Sequence, residues 1–104
     1  MVGQTNLFDD VMKTEERFVI VVQSFEEQKG RLIKRTLREY NSLSHEQMDS
    51  LFTHLKDLFL EKKFEKNQSA FAITVYTNLD YAGDQVYAHV KRHRNKKEWT
   101  HTAK

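Results

Sequence analysis

One stretch, Ser44 to Phe64, constrains the fold of this chain more than any other. At helical spacing Met48, Leu51, Phe52, Leu55, Leu58 and Phe59 fall on one face, and Phe64 continues Leu60 one turn on. Ser44 and Gln47 have the spacing of a capping box, and Leu43 and Met48 that of a hydrophobic staple. The helix therefore has a marked start and an apolar stripe that it cannot bury alone. Some other part of the chain must supply the covering surface.

The material for that surface is modest. Leu, Ile, Val and Phe make up 27 of the 104 residues, which exceeds the roughly one-fifth below which disorder is expected. On size the chain is one domain over residues 1–104, with 1–5 and about 103–104 expected to be flexible. There is no cysteine, so disulfides and thiolate metal sites are excluded. No apolar run approaches the roughly 18 residues of a membrane span, and the N-terminus lacks a basic region followed by an apolar one. The expectation is a cytoplasmic protein with no membrane association, either a monomer or a homodimer.

Elsewhere the pattern is less even. Phe18 to Val22 is the most β-prone run, apolar on both faces, and reads as a buried central strand. A competing reading joins it to one long helix running to Tyr40, since Phe18, Val21, Val22, Phe25, Leu32 and Ile33 keep helical phase. Ser24 and Glu27 form a second capping box. Phe25, Leu32, Ile33, Thr36, Leu37 and Tyr40 then recur at helical spacing, which predicts a helix with Gly30 as its weak point. The short link Asn41 to Leu43 makes a helical hairpin of this segment and the next.

Ala70 to Thr77 alternates, with Phe71, Ile73 and Val75 on one face, and predicts a half-buried strand. Turn formers occupy Asn78 to Asp84, after which Val86, Ala88 and Val90 alternate with Tyr87, His89 and Lys91 in a second, antiparallel strand. Arg94 to Lys97 then either turns into a short last strand around Trp99 to Thr102 or begins a tail, and Asn6 to about Lys13 can form a short leading helix. The expected fold class is α+β, a helical hairpin on one face of a small, mostly antiparallel sheet of three to four strands. In outline that order resembles the small ribosome-dependent RNases of toxin–antitoxin modules, with no motif of that family at a matching position. Element order alone does not carry function.

Charge is segregated along the chain. Residues 1–16 carry −3, 17–40 carry +3 and 91–104 carry +5, within a net charge of +2. The basic end, Lys91, Arg92, His93, Arg94, Lys96 and Lys97 followed by Trp99, mixes cations with an aromatic as nucleic-acid binders do. With Tyr76, Tyr87 and His89 it would form a polar face able to hold phosphodiester by charge and bases by stacking. Arg31, Lys34, Arg35 and Arg38 form a secondary basic row, expected on the outer face of the Phe25–Tyr40 helix.

Catalytic signatures are missing. There is no G-x-S-x-G, no Walker loop and no G-x-G-x-x-G. His89 and His93, four apart on a strand, stand roughly 13 Å from each other, too far to share an ion. No cofactor or metal is expected. The leading expectation is a non-catalytic protein that binds DNA or RNA through Tyr87, His89, Lys91, Arg92, His93, Arg94, Lys96, Lys97 and Trp99. The alternatives are a protein-interaction module such as a small inhibitor or adaptor, and a metal-independent RNase using His89, His93 and Lys91.

Overall fold

The pair Lys29-Gly30 decides the architecture. Both residues have positive φ, 52° and 76°, which is the requirement of a two-residue type I′ turn and matches the twist of the strands it joins. Gly30 supplies this conformation without strain, and a Cβ there would meet nothing within 4 Å, so the demand comes from the backbone alone. The chain therefore doubles back at the point where a helix would have had to continue. The structure, a computed structural model, describes residues 17–78 and 84–101. It consists of β1 (Arg17–Gln28), β2 (Arg31–Leu43), α1 (His45–Glu61), β3 (Gln68–Asn78), β4 (Asp84–His93) and β5 (Thr100–His101). The expected leading helix, the Asn78–Asp84 turn and the ends expected to be flexible lie largely or wholly outside the described residues.

The strands form one sheet in the order β2-β1-β3-β4-β5, with every neighbouring pair antiparallel. The α+β class holds. The helical hairpin does not: among the described residues there are one helix and five strands, two of them a long β1–β2 hairpin. Ser24 caps no helix. It is fully buried in β1, and its hydroxyl donates to Glu26 Oε2 at 3.4 Å.

The helical spacing of β2 has a specific cause. The register runs Gln23 to Thr36 and then Val22 to Arg38, leaving Leu37 as an extra residue. It runs again from Ile20 with Tyr40 to Phe18 with Leu43. Each irregularity inserts one residue into β2, the second with Ser42 at φ 57°. Leu37, Tyr40 and Leu43 therefore all reach the core although they lie three apart. A doubly bulged strand has reproduced the i, i+3 spacing of a helix.

The strands expected at 18–22, 70–77 and 86–91 are present in β1, β3 and β4: β3 alternates, β1 carries a continuous apolar run buried in the sheet, and β4 alternates from Ala88 to Val90 beyond a register irregularity. Phe18, Ile20 and Val22 of β1, Phe71, Ile73 and Val75 of β3 and Val90 of β4 form one buried face. Helix α1 lays Met48, Leu55 and Phe59 on it. Burying side chains of this size stabilises by roughly 1.5–3 kcal/mol each relative to leaving them exposed. The helix starts as its sequence implied: the Ser44 hydroxyl accepts from the Gln47 amide at 3.2 Å, and Gln47 Oε1 accepts from the Ser44 amide at 2.9 Å. It ends earlier than the stripe implied, with extended backbone at Lys62. Phe64 follows as a loop residue whose ring stacks on Phe71, centroids 4.4 Å apart and planes 13° off parallel.

Among the described residues no helix is long and apolar enough to cross a membrane. The second face of the sheet carries no helix in the described structure. β2 is an outer strand, and its Arg31, Lys34, Arg35 and Arg38 place charge along an edge that would otherwise invite pairing with another chain.

Candidate nucleic-acid interface

The register sets side chains on the uncovered face in rows. One row runs Lys34, Phe25, Ala70, His93 from β2 to β4; the next runs Thr36, Gln23, Ala72, Lys91; a third runs Glu39, Val21, Thr74, His89. The contribution of β3 is small side chains, and this matters. Strands β1 and β4 are separated by β3, so their backbones stand roughly 9.5 Å apart. Ala70 and Ala72 leave a trough that the Lys91 side chain crosses, bringing its Nζ to 4.2 Å from the centre of the Phe25 ring. Lys34 Nζ approaches the same ring at 6.0 Å. Cation–π attraction of this sort contributes on the order of 0.5–1 kcal/mol at exposed sites. Both alanines are buried.

His89 borders this cluster. Its Nδ1 lies 2.8 Å from the Thr74 hydroxyl. Partial burial, then the charges of Lys91 and Lys34, pull its pKa below the usual 6.5. The imidazole is therefore neutral at neutral pH. A group whose folded pKa is depressed binds fewer protons folded than unfolded, so native stability falls as pH drops from about 6.5 through the folded value. An NMR titration of the His89 ring should give a midpoint under 6.5, and His89→Gln should remove its share of the acid sensitivity in urea unfolding. A midpoint at or above 6.5 would contradict this environment.

The basic end of the chain is divided between the two faces rather than gathered on one. His89, Lys91 and His93 share the uncovered face with Lys34, a residue from the secondary row. Tyr87 does not join them. A register irregularity between Val75 and Tyr76 turns its ring to the helix side, against Phe18 at 5.1 Å and His45 at 6.5 Å. Arg92 is buried on the helix side, its guanidinium 4.6 Å from the Phe64 ring and 5.7 Å from Phe71.

Arg94 Nη1 donates to the carbonyls of Glu65 at 2.8 Å, Lys66 at 3.3 Å and Gln68 at 2.8 Å. The Trp99 indole is anchored on α1, its Nε1 donating to the Lys56 carbonyl at 3.0 Å. Lys96 and Lys97 are exposed in the β4–β5 loop. Of the secondary row, Arg35 pairs with Glu26 at 3.1 Å, Arg38 lies over Phe59 at 5.6 Å, and Arg31 is exposed beside the hairpin turn.

Phe25 and Thr74 were missed as site residues. Once Lys29-Gly30 is recognised as a two-residue hairpin turn, counting back across it pairs Phe25 with Lys34. That signal was present in the sequence. Among the described residues no cluster of three His, Asp or Glu side chains is placed to hold a metal ion. Proton transfer at a phosphodiester calls for a base and an acid on either side of it; His89 has Thr74 as its partner, and His93 stands roughly 13 Å further along β4. Compared with models of protein families, with curated proteins and with solved structures, the chain matches none of them.

Proposed function

We propose that this protein binds single-stranded nucleic acid, without catalysis, across the uncovered face of its sheet. The observation that supports this reading is the Phe25 ring with Lys34 and Lys91 both directed at it, on a face that carries no helix among the described residues. An unstacked base has an exposed π-face and a phosphate within reach of it, and an aromatic ring flanked by ammonium groups complements both. A base moving onto Phe25 displaces Lys91 Nζ from the ring and frees it for the adjoining phosphate. His89, two residues away on the same strand, gains a proton as that phosphate raises its pKa. A duplex offers no unstacked base and gains only the charge.

Fluorescence polarisation with labelled single-stranded and duplex oligonucleotides at two salt concentrations tests this. The single strand should bind more tightly, and affinity should fall with salt. Lys34→Ala combined with Lys91→Ala should cost about tenfold and reduce the salt slope by roughly 1.4, the value for two phosphate contacts on a single strand. Affinity should also strengthen as pH is lowered toward the His89 transition, because binding takes up a proton there. Binding that the two substitutions leave intact, or that ignores salt, counts against the reading.

A second reading rests on the outer edge of β2. Leu32 and Ile33 are 62% and 40% exposed beside it, and an extended segment of another protein could add to that edge as a strand. This would make the chain an interaction module. No oligonucleotide affinity, with a stable protein complex by size exclusion, would favour it over the first.

A further inference from the structure

We propose a second anion site, on the opposite side of the sheet from Phe25, that takes a condensed phosphate: the di- or triphosphate group of a small ligand. It is a cavity of about 630 Å³ between the end of α1 and the β4–β5 loop. Lys62 and Lys63 line one wall, Lys96 and Lys97 the other, with Arg92 and Arg94 between them; among the described residues Glu61 is the single carboxylate in the lining. The described residues of the lining thus set six cations against one anion.

Arg92 makes this a built site rather than a chance gathering of surface lysines. It is only 5% exposed, and its guanidinium ties the two walls together. Nη2 donates to the Lys62 carbonyl at 2.6 Å and Nη1 to the Lys96 carbonyl at 3.1 Å. Both partners are neutral, so the hydrogen bonds hold the charge in place without cancelling it. Its Nε is buried without a hydrogen-bond partner among the described residues, so the side chain is fixed in place by its two Nη donors and its ring contacts. Burial lowers the Arg92 pKa and Glu61 raises it, yet a guanidinium keeps its proton in either case. Leu60 and Phe64 supply apolar wall, which strengthens attraction to an anion by excluding water. The C-terminus of α1 opposes an anion with roughly half a charge, well under the excess of cations.

Charge decides the ligand class. A singly charged anion would leave most of this excess unbalanced, and a flat aromatic ligand has no free ring to stack on, since Phe64 is already paired with Phe71 and Arg92. A chain of two or three phosphates provides several oxygens for several ammonium groups at once.

The test is calorimetric titration of the full chain with inorganic tripolyphosphate, with sulfate at matched ionic strength as the reference. Saturable binding at one site, at least tenfold tighter than sulfate, is expected, and the melting temperature should rise with ligand concentration. Lys63→Ala with Lys97→Ala, both exposed side chains, should leave the ligand-free melting temperature unchanged and weaken binding at least tenfold. Glu61→Gln should tighten it several-fold. Lys34→Ala with Lys91→Ala should leave tripolyphosphate binding unaltered, which separates this cavity from the sheet face. Binding no tighter than sulfate, or insensitive to Lys63, Lys97 and Glu61, overturns the proposal.

Discussion

Replacing Phe71 by alanine is expected to lower the free energy of unfolding by about 3–5 kcal/mol. Phe71 is fully buried at the junction of three elements. Its ring meets Phe59 of α1 edge-on at 5.3 Å, stacks on Phe64 of the following loop at 4.4 Å, and lies 5.7 Å from the Arg92 guanidinium of β4. Removing it leaves a cavity that strand β3 cannot close, because β3 is hydrogen-bonded on both sides, to β1 and to β4. Domains of this size are typically stable by only 5–15 kcal/mol, so this loss consumes a large share. Urea unfolding should show a lower midpoint with an unchanged slope. A loss under about 1 kcal/mol would mean that this aromatic cluster does not hold helix to sheet. Phe71→Leu, which keeps most of the volume, should recover more than half of the loss.

Arg92→Leu should cost about 2–4 kcal/mol, a large effect for a cation at the end of a strand. The substitution keeps some apolar contact with Phe64 but strands the carbonyls of Lys62 and Lys96, each of which accepts a charged donor in the native structure. Hydrogen bonds to charged groups contribute roughly 1.5–3 kcal/mol, and an acceptor left without its partner costs its desolvation as well. Arg92→Lys should recover only a part. A single ammonium cannot span two carbonyls on different loops in the way a planar fork does, nor stack flat against a ring. Hydrogen exchange should locate the damage in the segments that Arg92 ties together, residues 62–66 and 94–97. Full stability in Arg92→Leu would show that the two loops hold their positions without it.

These two expectations bear on how much of the molecule its residues announced. Helix α1 was legible because everything that defines it is local: Ser44 and Gln47 cap each other three residues apart, and its stripe repeats within a few turns. Strands β3 and β4 were legible for the same reason, as alternation needs no knowledge of the partner strand. Strand β2 was not. Leu37, Tyr40 and Leu43 face the core at intervals of three because of two added residues, and a bulge is defined only against the strand it pairs with. The spacing was real, and its helical interpretation was the locally reasonable one. What overruled it was Lys29-Gly30, a local signal outweighed by the apparent periodicity around it.

The candidate site shows the same division more sharply. That the C-terminal segment is rich in cations can be read directly from Lys91, Arg92, Arg94, Lys96 and Lys97. Which side of the sheet each one serves cannot. Neighbours on a strand point to opposite faces, so Lys91 meets Phe25 while Arg92 is buried against Phe64. One register irregularity then carries Tyr87 away from the face that simple alternation would have given it.

Sequence alone thus established the α+β class, the capped helix, the alternating strands and the surplus of positive charge, since each depends on interactions a few residues long. Tertiary structure alone decided that a second helix is instead the outer strand of a hairpin, that Phe25 lies between Lys34 and Lys91, and that the basic segment divides between two faces. Those outcomes depend on register across strands. Register is set by burial of a shared core face, and no single segment contains the information about the surface it will be buried against.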